Sequence, residues 1–554
     1  MMPLLIRLGL VLLLAPLGFS RSSTVSDPEA RTLRVFIFAG QSNMVGADSD
    51  ATEVPEYPPF RGVEEPYAGV RFHYCIGREQ KTQSDGWVDL QPVKGMVGPE
   101  LSFAHTLGKH IDDPIAIIKV AAGGTTLAVD WNPEQPGGFE LYPLALKRVR
   151  EALDALQKRG QKYRLEGFMW HQGENDMFSD EGKANYAKNL AGFMARWRAD
   201  LEAPELPFFV GELCTNTVWG MDHRVNMHAI EVAQRAATDA DALATYVPTS
   251  HVAVKIGGGE GLHYHYGTLG QLEHGVSHAQ AYLAFVGQPL AQPRPLKRWP
   301  YRKGEKIKLF VMAGHRNMEG ERAFEADLSE VRGKKALTRD DGSIAFRYSA
   351  GGGFKVSDGW EPLGPAGAHG TFGPELSFAA ALKRGRVGPF AIAKFTHGGS
   401  QTIDWTPEGS KAPTRNLYPA FLDFVRSSVA QLEAQGHEVE LAGVFYHLSE
   451  NDTAWWPFRK AQSSRLGQVV AALRKDLALP ELVWFVSQQK PASFGDLDKF
   501  DAVKAIEAAA EADPHLMHLK CLDLPGAAAK LVMGARGVIE LGERLAGGYL
   551  AMGR

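Results

Sequence analysis

Apolar and polar positions along this chain change period repeatedly, and the changes mark its elements. Short runs that stay apolar without alternation, at residues 33–39, 115–120, 167–170 and 208–210, predict strands buried on both faces. Between them apolar residues fall at helical spacing. Leu146, Val149, Leu153 and Leu156 precede Gly160, which predicts a helix closed by a glycine, and Tyr186, Leu190, Phe193 and Trp197 predict another. Strands alternating with helices predict an α/β fold, a mostly parallel sheet with helices on both faces and its ligands at the carboxyl ends of the strands. Functional residues are therefore expected just after the apolar runs.

The pattern is then written a second time. Gly98-Pro-Glu-Leu-Ser-Phe-Ala104 recurs unchanged as Gly373-Pro-Glu-Leu-Ser-Phe-Ala379, Ser84-Asp-Gly-Trp87 as Ser357-Asp-Gly-Trp360, and His171-Gln-Gly-Glu-Asn-Asp176 returns as His447-Leu-Ser-Glu-Asn-Asp452. Near-constant spacing of such words predicts two homologous domains, 31–287 and 306–554, joined by a proline-rich linker over 288–305. Ahead of them, Arg7 precedes an apolar stretch ending at Phe19, then Ser20-Arg-Ser-Ser-Thr24. This predicts a cleaved secretory signal over 1–23, because the stretch is shorter than the roughly 20 residues of a spanning helix. A secreted or periplasmic mature chain without stable membrane insertion is expected; an uncleaved anchor is the alternative.

Composition narrows the function. Among 554 residues, 44% are hydrophobic and 22% charged, which excludes disorder as the main state. Sixty Lys plus Arg against 64 Asp plus Glu give a net charge of −4, and no like-charged run offers nucleic acid a phosphate-neutralising face. Cys75, Cys214 and Cys521 form no CxxC pair, so they are expected to fill core space.

The chemistry sits where the pattern places it. Gly40-Gln-Ser-Asn-Met44 follows the first strand, Ala122-Gly-Gly-Thr125 the second and His171-Gln-Gly-Glu-Asn-Asp176 the third, while Glu260-Gly-Leu-His263-Tyr-His265 stands near the end of the first copy. A serine leaving a strand commonly only caps a helix, paired glycines commonly only turn the chain, and a single histidine is commonly structural. Their joint arrival at strand ends points to a site.

These four blocks, in this order and spacing, resemble the sialate O-acetylesterase and carbohydrate esterase family 6 branch of the SGNH hydrolases. The resemblance covers residues 33–286 with all four blocks and 307–550 with degraded ones. It implies two tandem three-layer α/β/α domains of flavodoxin-like type. It also implies Ser42 as nucleophile, His263 as general base and then acid, and Glu260 as the carboxylate orienting the imidazole, with Glu174 competing for that role because Glu260 stands where the family usually has Asp. The backbone N–H groups of Ser42 and of Gly123 or Gly124, with the Gln172 side chain, are the implied oxyanion donors.

The reaction calls for these types independently. A serine hydroxyl needs a neighbouring base, the base needs a carboxylate to fix its tautomer, and the tetrahedral oxyanion needs preplaced donors. In the second copy Arg316 stands at the position of Ser42, Ala527 at Glu260, Lys530 at His263 and Leu448 at Gln172. Neither arginine nor lysine replaces what is missing, so a folded but inactive domain is expected. There Trp405, His447, Glu450, Trp455 and Trp456 either face a sugar or merely support the fold; the latter is favoured, as it is for Trp131 opposite Trp405.

The reading is a secreted serine esterase acting on acetylated carbohydrates, with no metal or organic cofactor implied. Two rivals remain. One is a non-catalytic glycan-binding protein. The other is a metallohydrolase using His263, His265 and one of His171, His274 or His278, although no carboxylate pattern completes a zinc set. Nucleotide binding is excluded, because Gly257-Gly-Gly259 and Gly351-Gly-Gly353 lack the Walker ending.

Overall fold

The computed structural model describes residues 31–213, 217–218, 221–255, 265–288, 294–331, 333–454, 456–491, 501–524 and 531–553. The signal segment, Cys214, Glu260, His263, Trp455, Ala527 and Lys530 lie outside the described residues.

The chain folds into two α/β domains, each built on an eight-stranded, mostly parallel sheet. In the first, β1 (Leu33–Gly40), β2 (Tyr67–Ile76), β3 (Ile115–Ala121), β4 (Tyr163–His171), β5 (Phe208–Gly211) and β6 (Ala244–Val247) lie parallel in the order β6-β5-β4-β1-β3-β2. The short strands Thr82–Gln83 and Val88–Leu90 pair antiparallel with β2. The apolar runs form strands because both faces are covered. Along β1, Val35 and Ile37 join the core beneath α3 (Leu141–Lys158), α4 (Asp180–Asp200) and α5 (Arg224–Asp239), while Phe36 and Phe38 join the core beneath α2 (Pro99–Leu107) and α6 (Gly267–Phe285). The helical spacings hold: Tyr186, Leu190, Phe193 and Trp197 are fully buried along α4, and Gly160 takes a left-handed φ of 69° just past the end of α3.

The second domain repeats the plan with β7 (Lys306–Gly314), β8 (Asp341–Ala350), β9 (Phe390–Thr396), β10 (Glu438–His447), β11 (Trp484–Gln489) and β12 (Leu516–Cys521), in the order β8-β9-β7-β10-β11-β12. The two domains pack against each other. His251 of the first stacks on Phe354 of the second with ring centroids 3.5 Å apart, Tyr57 meets Phe324 edge-on, and Arg224 reaches both Gln401 and Asp404. The described end of the proline-rich segment docks on the second domain, where Trp299 donates to His437 at 2.8 Å. Cys75 and Cys521 are buried free thiols. No helix among the described residues is long and apolar enough to cross a membrane.

Candidate active site

In each sheet the chain moves from the central strand first to one side and then to the other, so a crevice opens at the carboxyl end of that strand, where open α/β sheets hold ligands. In the first domain β1 is that strand. Gly40, at its end, pairs with Ala121 of β3 and His171 of β4, which brings three of the sequence blocks side by side. The approach is tight: a side chain on Gly40 would meet the His171 carbonyl at 2.0 Å.

Ser42 opens a four-residue helix, α1 (Ser42–Val45), that Gly46 closes in a left-handed conformation. Gln41, not Ser42, occupies the capping position, so the hydroxyl is not spent on capping, and it has no hydrogen-bond partner among the described residues. Ser42, Gly123 and Gly124 are partly exposed in a neighbourhood that is otherwise buried. Gly123 lies directly against the serine, its absent Cβ falling 3.4 Å from Ser42 Cβ, and its N–H has no partner among the described residues. Behind it, Thr125 donates to the Ala122 carbonyl at 2.8 Å and accepts from the Trp131 indole at 3.0 Å, which fixes the glycine pair from below.

The third block supports rather than reacts, with one correction. The Gln172 amide, expected as an oxyanion donor, is buried and directed at Gln41 Oε1 (3.1 Å), the Thr125 carbonyl (2.9 Å) and Asp176 Oδ2 (2.6 Å). With two hydrogens for three acceptors it braces the cleft walls and has none to spare. Asp176 takes the backbone N–H groups of Leu127 and Ala128, locking the loop after the glycines. Glu174 is buried with Oε1 accepting from Asn43 Nδ2 at 2.8 Å and lying 3.6 Å from His171 Nε2. Burial alone would raise its pKa, but His171 and Asn43 outweigh that and hold it below the ordinary value, so it is ionised at neutral pH.

The residues carrying Glu260 and His263 are not described, but both ends of that segment are. Lys255 N donates to the His265 carbonyl at 3.0 Å, Lys255 Nζ to the Asp48 carbonyl at 2.8 Å, and His265 Nδ1 pairs with Asp48 at 2.7 Å. Tyr266 N donates to Asn43 Oδ1 at 3.2 Å. The segment thus leaves and returns within a few residues of Ser42.

The histidines proposed as metal ligands are arranged otherwise. His171, His274 and His278 form a buried chain with centroids 4.5 and 4.8 Å apart, and burial pushes His274 well down and His278 to about 3. His265 faces Asp48 instead. Among the described residues no group of three or more His, Cys, Asp or Glu is placed to hold a metal ion.

The second domain shows the same crevice filled. Arg316, 1% exposed, gives Nε to Asn451 at 2.9 Å and a second nitrogen to Glu321, while its backbone N–H donates to Glu450 at 3.1 Å. Glu319 accepts the N–H of Gly398, the counterpart of Gly123, and of Gly351, both at 3.0 Å. Trp131 and Trp405 are fully buried, each donating to the hydroxyl of its own glycine loop, so neither is a surface for a sugar. His447, Glu450 and Asp452 are buried as well.

The profile of the family described as carbohydrate esterase, sialic acid-specific acetylesterase, matches residues 32–284 and again 306–551, nearly the whole chain. The chain belongs to this family. Membership makes it a carboxylic ester hydrolase of the carbohydrate acetylesterase class, in line with the resemblance read from the motifs. A curated protein of Arabidopsis thaliana, described as a probable carbohydrate esterase, is 24% identical over 266 residues, 45% of this chain and 90% of that one. A solved Arabidopsis thaliana structure is 21% identical, covering 46% of this chain and 98% of that one with a TM-score of 0.35. A carbohydrate acetylesterase structure from Xanthomonas citri is 18% identical, covering 49% and 61%, also with a TM-score of 0.35.

Proposed function

We propose that the protein is an exported serine esterase that removes O-acetyl groups from carbohydrates through an acyl-enzyme on Ser42, and that only its first domain is active. The observation that carries this reading is the placement of Ser42. Its hydroxyl is uncommitted among the described residues, its Cβ packs against Gly123, and the residues flanking the segment that bears His263 are tied to Asn43 and Asp48.

His263 takes the Ser42 proton as the oxygen attacks the acetyl carbonyl, and the N–H groups of Ser42 and Gly123 receive the developing oxyanion. Collapse expels the sugar alkoxide, which takes the proton from the imidazolium. Water, activated by the same imidazole, then releases acetate. Glu260 holds the imidazole in the required tautomer. In the second domain a buried guanidinium replaces the hydroxyl and Glu319 occupies the donors, which supports reading that domain as inactive.

Hydrolysis of p-nitrophenyl acetate and of an acetylated glycan panel tests this. Ser42→Ala and His263→Ala are expected to lower kcat by at least about 10³-fold, while Arg316→Ala leaves it unchanged. Equal turnover in wild type and Ser42→Ala refutes the reading.

A further inference from the structure

Arg78 lies two residues past the end of β2, is exposed on the rim of the crevice, and appears in none of the four motif blocks. Its guanidinium donates Nε to the Gly123 carbonyl and Nη2 to the Gly124 carbonyl, both at 2.7 Å, and rests on the Phe139 ring at 4.8 Å. Within a trans peptide unit the carbonyl and the N–H point in opposite directions. Drawing two successive carbonyls to one side therefore turns the N–H groups of Gly124 and Thr125 to the other. The cation also polarises both peptide units, which strengthens their N–H groups as donors. Gly124 must be glycine for this, since it sits at φ 67° and a Cβ would fall 1.8 Å from Arg78 Nη2.

The second domain supplies the contrast. Gly352 stands where the first domain has Arg78. The two corresponding carbonyls are held separately, Gly398 O by Asn451 at 3.3 Å and Gly399 O by Arg415 at 2.9 Å, and the Gly398 N–H is taken by Glu319. Only the domain that keeps the serine clamps both carbonyls from outside with one side chain, and there the N–H of the first glycine has no partner among the described residues. The Glu319 contact also shows this backbone edge donating to a carboxyl oxygen.

We infer that Arg78 is a positioning residue of the esterase: by holding the Gly123 carbonyl it sets the Gly123–Gly124 peptide unit so that the Gly124 N–H joins those of Ser42 and Gly123 at the oxyanion formed on Ser42. The inference rests on the serine reading above. It acts through the backbone and not on the sugar, so it belongs to kcat and not to KM.

Steady-state kinetics of the full chain on p-nitrophenyl acetate test it, with Ser42→Ala as the background. Arg78→Ala is expected to lower kcat by about 10- to 100-fold, less than or comparable to deleting one oxyanion donor, with KM changed by less than about threefold. Arg78→Lys recovers part of the loss, because one ammonium reaches a single carbonyl at a time. Guanidinium chloride at tens of millimolar restores turnover to Arg78→Ala in a saturable manner and does nothing for an Arg71→Ala control. An unchanged kcat overturns the inference. So does a loss confined to KM on anionic acetylated sugars, which would make Arg78 a substrate contact, and so does a loss that guanidinium does not rescue and that tracks a lowered Tm. Turnover surviving in Ser42→Ala sinks the serine reading itself, whereas serine-dependent turnover indifferent to Arg78 sinks only this one.

Discussion

Asn43, the residue after Ser42, joins the parts of the site. Its Nδ2 donates to Glu174 and its Oδ1 accepts from Tyr266 N, so one amide ties the third block to the segment returning from His263. This contact bears on the choice between the two carboxylates. With Oε1 of Glu174 engaged by Asn43 and facing His171, we expect Glu260 to orient the catalytic imidazole. In pH–rate profiles Glu260→Gln should then lower kcat and move the acid limb to lower pH, because the imidazolium loses its stabilising carboxylate, while Glu174→Gln lowers kcat more modestly and leaves the limb near its wild-type position. The opposite pattern would exchange the two roles. The placement of Ser42 and Gly123 side by side at strand ends was legible in sequence because its signal is local: a polar word just after an apolar run. Arg78 was not, since a surface arginine carries no sign of the backbone 45 residues away that it will hold. Gln172 was misassigned because the sequence shows the amide but not the three acceptors already waiting for it.

Among the elements, α6 differs most tellingly between the copies. His274 and His278 lie four residues apart on one buried face of it, whereas Leu541 and Leu545 hold the corresponding positions in the second domain. Sequence alone presented these imidazoles as possible ligands; packing shows a desolvated stripe whose Nδ1 atoms find no partner among the described residues. Burial lowers the folded pKa of His278 to about 3 from 6.5, so the folded state binds fewer protons than the unfolded one. The associated stability is present above about pH 6.5 and is lost as pH falls toward 3. His278→Leu is therefore expected to raise Tm more at pH 4 than at pH 8; an equal shift at both would show that the imidazole titrates alike in the folded and unfolded chain. The strands needed no such correction. A run apolar on both faces has few alternatives, whereas a helix face can be apolar by character or by burial.

At the scale of the whole molecule, the repeat predicted two domains, but nothing in either copy alone announced how closely they join. Glu231 is buried where they meet, with Oε2 accepting from Thr414 of the second domain at 2.7 Å. Burial first, then the neighbouring charge of Glu212, raises its pKa to about 8 against the opposing Arg415. A carboxyl that is protonated in the folded state contributes stability that is complete below its ordinary value near 4.5 and disappears as pH rises to about 8. Glu231→Gln keeps an acceptor for Thr414 without the charge, so its Tm is expected to overtake that of wild type above pH 8 and to match it near pH 5. Parallel Tm curves would show that the pair is not what senses pH.

The Glu319 contact reaches beyond the domain that contains it. A backbone edge that closes on a tethered carboxyl group in one half of the chain offers the same donors to a free carboxylate in the other. If the first domain works through the proposed acyl-enzyme, acetate is expected to inhibit it competitively against p-nitrophenyl acetate, and an indifferent rate would show that this edge is not where the acyl oxygen sits.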